Sequence, residues 1–504
     1  ATDVDPIKIG TQTGAPKWGG VRVFDSMSQE NVFSHCDFIN AQGTSPSGAE
    51  NYGSLGFIRS WGWADHCTFA GTHLRMLYGR NSKLTFTYNV MPDMFIFDPI
   101  LGRIEEPTVD FIAAADNSME PMKVEFPTGD AEVSGANAAN FPNGLPLNGH
   151  WRVYFNEYHG NRGHQDVFDC DSGRWAARDA VTNFQSNGQF VIDCRYNHFY
   201  GLAGDEHMDL GGDAYIASNV FENARKDFWT NDTGYSNAIS SGDKGTGTTI
   251  MVARNICYDM DHVINCKANT ATIFEHNTVA NMHTDFVFNG STVTQNVTCA
   301  PINFFVPGDG ANPTVGDGAY TGFNIFHNVN HVFSGPDANA QGNGITTKIE
   351  FFHNLLNQIA DPVIGPNHPG GFFSGTYGPN QAGAPGFVNE AAEDYSLRMD
   401  SLARGTALGG ISYGSSIAEW SYIHGGPSGT VADTAANFTI GGPGIVAYKW
   451  RLNGGAWSAP IQIGTGGLMP RGTTPTVRQA TLALTGLTAG AQTLEVLGQD
   501  MAGN

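Results

Sequence analysis

The sequence has few basic residues and little charge overall. Of its 504 residues, 26 are Lys or Arg and 48 are Asp or Glu, so the formal net charge is −22 at pH 7. Proteins bind nucleic acid by neutralising phosphates with Lys and Arg, so this balance argues against a nucleic-acid partner. It also gives a polyanionic ligand no long-range attraction, so such a ligand would need a metal ion or a few well-placed basic side chains.

Cysteine and long apolar runs are also scarce. The seven Cys are an odd number and none lies in a CxxC pair, which argues against a zinc or redox site. We expect most of them to be buried as small hydrophobic residues. No run of about 18 apolar residues occurs, so no membrane span is indicated. The chain begins ATDVDPIKIG without a signal peptide, which resembles a processed start and leaves export open.

Glycine, aromatic residues and a local repeat are abundant. The 64 Gly and 11% aromatic residues are typical of a β-rich protein with many tight turns. The repeat is an alternating strand pattern, then an Asn, then a second apolar pair. It is clearest in DAYIASNVFENA (213–224), TTIMVARNICYDM (248–260), TATIFEHNTVANM (270–282) and STVTQNVTCA (291–300). These copies place four residues at one recurring turn: Asn219, Asn255, Asn277 and Asn296.

Looser copies extend the repeat in both directions. They are SHCDFIN (34–40), DHCTFAG (65–71), LTFTYNVM (84–91), FVIDCRYNHFYG (190–201), GFNIFHNVN (322–330) and IEFFHNLLN (349–357). A coil of about 20–25 residues with insertions indicates a parallel β-solenoid. Asn suits the turn because its side chain bonds backbone groups and tolerates left-handed conformations. We therefore predict an all-β chain whose residues 1–400 form a right-handed parallel β-helix, and we expect a monomer.

The C-terminal part has a different pattern. VAYKWRLNGGAWSAP and TLALTGLTAGAQTLEVLGQDMAGN are typical of hairpin strands with Gly-rich turns. We predict a linker over 401–425 and a small β-sandwich over 426–504. This part resembles the immunoglobulin-like domains appended to secreted bacterial carbohydrate enzymes. The usual last strand after DMAGN is missing, so we expect a truncated domain.

Stacking of the coils predicts which side chains are neighbours. Equivalent residues of successive coils lie about 4.8 Å apart. Four strands that follow the Asn strands align as DVFDCDS (166–172), EHMDLGG (206–212), NAISSGD (237–243) and HVINCKA (262–268). We expect the apolar third position to face the core: Phe168, Met208, Ile239 and Ile264. We expect two columns to face solvent: Asp169, Asp209, Ser240 and Asn265 at the fourth position, and Asp171, Gly211, Gly242 and Lys267 at the sixth.

The outward carboxylates raise a chemical question. Asp169 and Asp209 would repel each other at strand spacing unless a cation, a shared proton or a nearby Lys compensates. The functional interpretation is a Ca²⁺ site or an acid/base pair, and the alternative is solvated charge on a sheet face. Lys267 is either a general base or the salt-bridge partner of Asp171 or Asp209.

Further candidates border these strands. His164 and His207 are each a proton donor, a base or a structural residue. Arg174, Lys244 and Arg75 are candidates for binding acidic groups of a substrate. Trp229 and Tyr235 lie in an insertion, FWTNDTGY (228–235), that would wall one side of the column. Their rings either stack on sugars or form the core of the loop.

The stacked Asn strands and the acidic column resemble right-handed parallel β-helix polysaccharide lyases, of the pectate lyase and alginate lyase/chondroitinase B kind. GHQDVFDCDSGR, GDEHMDLGGDAYIASNVF, NAISSGDKGTGTTIMVARN, DHVINCK and FEHNTVANM are similar to a group of β-helix proteins from marine-type bacteria. The resemblance is closest over 160–285. The paired Lys and Arg motif of the alginate lyase group and the Arg signature of pectate lyases are both missing.

The resemblance implies a secreted or cell-surface bacterial enzyme that cleaves a uronic-acid-containing marine polysaccharide, including sulfated ones such as fucoidan. Acidic ligands would hold Ca²⁺, the ion would neutralise a uronate carboxylate, and Lys267 would remove the proton at C5 before β-elimination. The implied metal ligands are Asp169, Asp171, Asp205, Asp209 and Asp243.

Two other functions stay open. A glycoside hydrolase on the same scaffold would use two of Asp169, Asp171, Asp205 and Asp209 as its acid and base. The NTD…GDD…GHG…RIK series of polygalacturonase-type hydrolases is not present. A non-catalytic, glycan-binding surface solenoid would use the acids as structural calcium sites. Against this, the polar residues concentrate in one region instead of recurring along every coil.

Overall fold

The computed structural model describes most of the repeat region and much of the C-terminal part. The described residues are 6–10, 18–26, 31–39, 41, 53–70, 76–80, 82–92, 122–125, 151–158, 166–171, 192–202, 206–210, 214–224, 236–241, 249–267, 270–283, 285–288, 291–294, 299–304, 318–335, 347–359, 373–408, 411–415, 422–424, 426–427, 434–441, 445–463 and 479–500. Most of them are in strands, and they include one short 3-10 helix, Glu390–Ala392. Within them, no helix is long and apolar enough to cross a membrane.

Three long parallel sheets, here called sheets 1, 2 and 3, build the repeat region. Each coil contributes one strand to sheet 2, then one to sheet 3, then one to sheet 1.

Sheet 1 contains β1 (Ile7–Ile9), β4 (Cys36–Ile39), β7 (Thr68–Ala70), β10 (Val90–Met91), β13 (Glu157–Tyr158), β16 (His198–Leu202), β19 (Val220–Ala224), β22 (Ile256–Tyr258), β25 (Thr278–Met282), β30 (Ile325–Val329), β33 (Leu355–Ile359) and β35 (Gln381–Ala382). Sheet 2 contains β2 (Val21–Phe24), β5 (Leu55–Ile58), β8 (Leu77–Arg80), β11 (Met122–Glu125), β14 (Asp166–Asp171), β17 (Glu206–Leu210), β20 (Asn237–Ser241), β23 (His262–Cys266), β28 (Ile302–Phe304) and β31 (Phe333–Ser334). Sheet 3 contains β3 (Val32–Ser34), β6 (Trp61–Asp65), β9 (Lys83–Thr87), β12 (Trp151–Tyr154), β15 (Ile192–Arg195), β18 (Ala214–Ala217), β21 (Thr249–Ala253), β24 (Ala271–Glu275), β29 (Gly318–Gly322), β32 (Thr347–Phe352) and β34 (Phe373–Tyr377).

The core runs through the coils as stacked apolar side chains. Tyr158, Phe199 and Phe221 stack in successive coils, with ring centroids 4.5 and 4.7 Å apart. Each strand alternates inward and outward side chains, so identical spacing in successive coils brings like residues into one column. The predicted parallel β-helix architecture is therefore confirmed.

A ladder of buried Asn side chains joins sheet 3 to sheet 1. Asn197 shows the pattern: its side chain and its backbone N–H both donate to Asn219 Oδ1, at 3.0 and 2.9 Å. The ladder consists of Asn89, Asn156, Asn197, Asn219, Asn255, Asn277, Asn324, Asn354 and Asn380. The recurring Asn turn is thus confirmed for Asn219, Asn255 and Asn277.

Two details of the predicted turn are wrong. The ladder passes from Asn277 directly to Asn324, because the supposed repeat at 291–300 contains an antiparallel hairpin, β26 (Asp285–Phe288) with β27 (Ser291–Thr294). Asn296 itself lies outside the described residues. The left-handed conformation also belongs to the residue before the Asn, as at Ser218 (φ 57°) and Arg254 (φ 58°). The Asn is needed for its amide, which pairs along the ladder.

Cysteines take the Asn position in the first coils. The Cys36 and Cys67 thiols lie 3.4 Å from backbone carbonyls, and Cys67 N–H donates to Asn89 Oδ1. Burial raises the pKa of Cys67 to about 12, so its thiol stays protonated at neutral pH. The six cysteines whose side chains are described are free and buried, as expected: Cys36, Cys67, Cys194, Cys257, Cys266 and Cys299.

The segment after the last coil packs back onto the outer face of sheet 1. Here it is called the strap, residues 387–408 and 411–415. It begins with the hairpin β36 (Phe387–Asn389) and β37 (Asp394–Leu397). Its apolar residues bury Ile325 and Leu355 of sheet 1. Much of the predicted linker 401–425 therefore packs against the β-helix.

A second unit of antiparallel strands follows. One sheet contains β38 (Tyr422–His424), β39 (Ala435–Gly441) and β42 (Gln479–Thr485). The other contains β40 (Ile445–Leu452), β41 (Ile461–Gln462) and β43 (Leu494–Asp500). Ile440, Tyr448 and Leu484 form its core. Ala447 on β40 joins a separate apolar cluster on sheet 3, with Tyr215 and Met251.

Candidate functional site

The four strands aligned from the sequence lie side by side in sheet 2 in the predicted register. Phe168 pairs with Met208, Met208 with Ile239, and Ile239 with Ile264. All four side chains are buried in the core. The register also pairs Asp169 directly with Asp209, as predicted.

The fourth-position column lies on the opposite side of these strands from the core, but it is not open to solvent. Asp209 is half-buried, whereas Ser240 and Asn265 are 0% and 4% exposed. Asn303 in the next coil donates to Asn265 Oδ1 at 3.0 Å, and Ser334 donates to Asn303 at 2.7 Å. The expectation that this whole column faces solvent is therefore wrong for its described members beyond Asp209.

A second polar column lies at the first position of the same strands. Glu206 pairs with Asn237, and Asn237 with His262. His262 Nδ1 lies 2.9 Å from Asn237 Oδ1, and Asn237 Nδ2 donates to Glu206 Oε1 at 3.2 Å. Since the Asn237 amide points its NH₂ at the carboxylate, its oxygen accepts from a protonated His262 Nδ1. The three residues form a directed chain that ends on the carboxylate.

Lys267 joins this chain. Its ammonium lies 3.8 Å from Glu206 Oε1, and the two side chains are 12% and 5% exposed. Among the described side chains, Glu206 is an ion-pair partner of Lys267, and the sequence analysis did not single it out. The sequence could have pointed to Glu206, because the first position of the aligned strands is polar in all four copies: Asp166, Glu206, Asn237 and His262.

His207 lies in the core. It is 0% exposed, and its ring packs 5.4 Å from Phe199 and 5.9 Å from Phe221. Burial lowers its pKa to about 3, an effect that the nearby Glu222 backbone partly opposes. At neutral pH it is an uncharged core residue with no access to a substrate.

A local irregularity explains the inward turn of His207. The paired register skips the second position of these strands throughout. In β23 the N–H groups of Val263 and Ile264 both donate to Pro301 O, at 3.0 and 2.9 Å. Two residues opposing one is a bulge, which directs consecutive side chains to the same face. Simple alternation from Met208 does not reveal this.

Of the five predicted metal ligands, the structure describes the side chain of Asp209 only. Among them, no group of three or more His, Cys, Asp or Glu side chains is arranged to hold an ion. The backbones of Asp169 and Asp171 belong to β14, but their side chains are outside the description. Asp205 and Asp243 lie outside the described residues altogether.

The remaining predicted site residues also lie outside the described ranges. They are His164, Arg174, Lys244, Arg75, Trp229 and Tyr235. The structure therefore brings together Asp169, Asp209 and Lys267 on one sheet and adds Glu206, Asn237 and His262.

No protein-family profile matches the chain. A search of curated proteins also found no match. The function is therefore inferred from the side chains of sheet 2.

Proposed function

We propose that this protein is a polysaccharide lyase that cleaves a uronic-acid-containing chain by β-elimination. The observation that carries the proposal is the position of Lys267. Its ammonium meets the buried Glu206 on the same sheet that pairs Asp169 with Asp209. A basic group and a carboxylate column on one side of a sheet are the two parts that elimination from a uronate needs.

Ca²⁺ is the proposed ion at the fourth-position column. Three neighbouring residues of the column offer the hard oxygen ligands that Ca²⁺ prefers: carboxylates at Asp169 and Asp209 and a hydroxyl at Ser240. Ser240 Oγ is buried and has no hydrogen-bond partner in the structure, which is costly unless a bound species satisfies it. An ion held here would neutralise the substrate carboxylate and so acidify the proton at C5.

Lys267 is the proposed base. Lys267 first releases its ammonium proton to water. The free amine then takes the C5 proton, the electron pair forms the C4–C5 double bond, and the C4–O bond to the leaving sugar breaks. The departing oxygen takes a proton from water. Glu206, at 3.8 Å, is too distant for a short hydrogen bond but close enough to hold the amine in place. Asn237 and His262 in turn fix the carboxylate.

Product analysis tests the proposal. Uronate polysaccharides, including alginate, pectin-like chains, ulvan and glucuronate-containing fucoidan, are incubated with the enzyme, with and without a chelator. A lyase gives new chain ends together with the ultraviolet absorbance of an unsaturated uronate, and a Ca²⁺-dependent lyase loses both on chelation. Binding without any new chain ends across this panel would indicate the non-catalytic solenoid.

A glycoside hydrolase is the second candidate, favoured by the direct pairing of Asp169 with Asp209. Paired residues on adjacent strands lie about 5 Å apart, near the carboxylate separation of retaining hydrolases. New reducing ends without the unsaturated absorbance would establish this function in place of the lyase.

The finer statements on the C-terminal unit and on location are also proposals. Two three-stranded antiparallel sheets around Ile440, Tyr448 and Leu484 support an immunoglobulin-like sandwich. A polysaccharide too large to enter a cell supports secretion or display at the cell surface. Crystallography of the unit and localisation of the tagged protein in its host test these two points.

A further inference from the structure

A groove of about 360 Å³ lies on the outer face of sheet 1, on a different sheet from Lys267. Its lining includes the aromatic residues Tyr88 and Phe155 and, at its floor, Thr68. The carboxylates Asp37 and Glu157 also line it. The volume falls in the range of small-molecule binding sites, about 300–1,000 Å³.

One wall of the groove belongs to a stack of rings, here called the aromatic column: His35, His66, Tyr88, Phe155 and Tyr196. Successive ring centroids are 4.8 to 4.9 Å apart. Tyr88 and Phe155 are 48% and 40% exposed, although large aromatic rings are normally buried in the core. The stack covers the ring faces within the column, so the exposed part is the ring edge.

His66 is held in a fixed orientation at this wall. Its Nδ1 lies 2.9 Å from Asp65 Oδ2, and Asp65 Oδ1 accepts from Thr87 at 2.7 Å. Because Asp65 occupies Nδ1, only Nε2 remains to meet a ligand. The wall thus offers ring edges, which carry partial positive charge, and one oriented imidazole nitrogen.

The floor of the groove changes character along sheet 1. The column that contains Asp37, Thr68, Val90 and Glu157 continues through later coils to Val220, Ile256, Ile325 and Leu355. The later members pack under the strap, whereas Asp37 and Thr68 are half-buried and Glu157 is exposed. The strap covers the later members of this column, including the buried Thr278, whose hydroxyl accepts from Ser415 N–H of the strap, and it leaves Asp37, Thr68 and Glu157 uncovered.

We propose that this groove binds a neutral, hydroxyl-rich oligosaccharide along the axis of the β-helix. Asp37 and Glu157 are three strand steps apart, about 14 Å, so they suit an extended chain and not a single cation. Carboxylates accept strong hydrogen bonds from sugar hydroxyls, and the ring edges contact hydroxyl oxygens. Two carboxylates against the single Lys8 that pairs with Asp37, together with the net charge of −22, disfavour a polyanion here.

Titration calorimetry of the full chain tests this site. The probes are neutral gluco-, xylo- and galacto-oligosaccharides, with oligouronates as the charged comparison. We expect at least one neutral probe to bind. The combined Asp37→Asn and Glu157→Gln variant should bind it at least about tenfold more weakly, because both charge-assisted hydrogen bonds to sugar hydroxyls are lost. Phe155→Ser, which removes part of the wall, should also weaken binding.

Matched controls separate the groove from the rest of the molecule. Asp400→Asn changes an exposed carboxylate outside the groove, and Lys267→Ala changes the proposed lyase base; both should bind the neutral probe like the wild type. The proposal is overturned if no neutral probe binds, if the groove variants bind like the wild type, or if oligouronates bind better than every neutral probe and lose affinity in Phe155→Ser. Loss of lyase activity in Lys267→Ala has no bearing on this binding, so the two proposals fail separately.

Discussion

His207 shows how a recurring bulge turns one position of each sheet 2 strand away from the side that simple alternation predicts. The bulge in sheet 2 directs its ring into the core between Phe199 and Phe221, where burial favours the uncharged imidazole. This position destabilises the folded protein only at a pH low enough to protonate the imidazole in the unfolded chain. The neighbouring Met208 and Asp209 follow the predicted alternation, so a sequence pattern alone places His207 on the wrong side.

His207 should make the protein sensitive to acid. The folded-state pKa is about 3 and the ordinary value is 6.5, so the unfolded chain binds the proton first as the pH falls. The contribution of His207 to stability is complete above about pH 6.5 and falls by about 3 kcal/mol near pH 4. His207→Phe removes this titration. Urea unfolding should show a larger gain for the variant at pH 4.5 than at pH 7; an equal difference at both would contradict the assignment.

Asn219 is the residue on which the ladder can be tested. Its Oδ1 accepts from the backbone and the side chain of Asn197, and its Nδ2 donates to Cys194 O and to Asn255. Asn219→Ala leaves a buried N–H without its acceptor, so the free energy of unfolding should fall by about 2–4 kcal/mol. Asn380→Ala, at the half-buried end of the ladder, should cost much less because water can replace the lost bonds. If the two variants lose the same free energy of unfolding in urea, the buried position of Asn219 within the ladder has no special effect on stability.

At the scale of elements, the sequence predicts the repeated coils well, but it does not predict the hairpin inserted between two coils or the strap that follows the last one. The register of four strands of sheet 2 follows from apolar residues at fixed positions, because one-residue slips would expose Phe168 or Ile264. The sequence of the hairpin at 285–294 resembles a coil repeat because alternating apolar and polar residues are typical of both parallel and antiparallel strands. The sequence did not predict that the strap packs on sheet 1. Its buried residues, such as Tyr395 and Leu397, sit where they meet sheet 1 and follow no repeat that a sequence pattern could reveal.

The strap also contains two adjacent acids, Glu393 and Asp394, whose pKa values are shifted in opposite directions. Burial, with the carboxylates of Glu222 and Asp259, raises the pKa of Glu393. Its stabilising contribution is therefore complete at low pH and is lost as the pH rises through the folded-state pKa. Glu393→Gln should raise the melting temperature at pH 8, and the gain should shrink toward about pH 4, below the ordinary Glu pKa.

Asp394 is the matched control for this prediction. Hydrogen bonds from Ser396 lower its pKa, so its contribution is present at neutral pH and is lost as the pH falls. Asp394→Asn should therefore leave the melting temperature at pH 8 unchanged or slightly lower. A rise in both variants would mean that general repulsion in an acidic protein, and not the site around Glu393, sets the effect.

At the scale of the whole molecule, the outer faces of the three sheets have different partners. The strap packs on later strands of sheet 1, from β19 to β33, and the β40 strand of the C-terminal unit meets sheet 3. Sheet 2 carries the polar columns around Lys267. The apolar outer residues of sheet 3, such as Met251 and Tyr320, are 0% and 1% exposed. The sequence showed apolar strands here, but only the fold shows that a second unit helps to bury their outer side.

The contact between the C-terminal unit and sheet 3 should couple their unfolding. Ala447→Arg places a charge into the cluster formed with Tyr215 and Met251, where burying an unpaired charge is strongly unfavourable. We expect calorimetry to show the C-terminal unit melting earlier and separately. Leu497→Arg, at a residue that is 56% exposed in the same unit, should melt like the wild type. Identical melting of all three proteins would contradict the contact.

The central claim is that sheet 2 carries the chemistry and that Lys267 is its base. The most direct test is the initial rate of unsaturated-uronate formation by Lys267→Ala, on the polysaccharide that the wild type cleaves. We expect the rate to fall by about 10²–10⁴-fold, as for the loss of a general base. Substrate affinity and the melting temperature should stay near the wild-type values. Lys8→Ala, which changes an exposed lysine on sheet 1, should retain the full rate. A Lys267→Ala enzyme as active as the wild type would contradict the account.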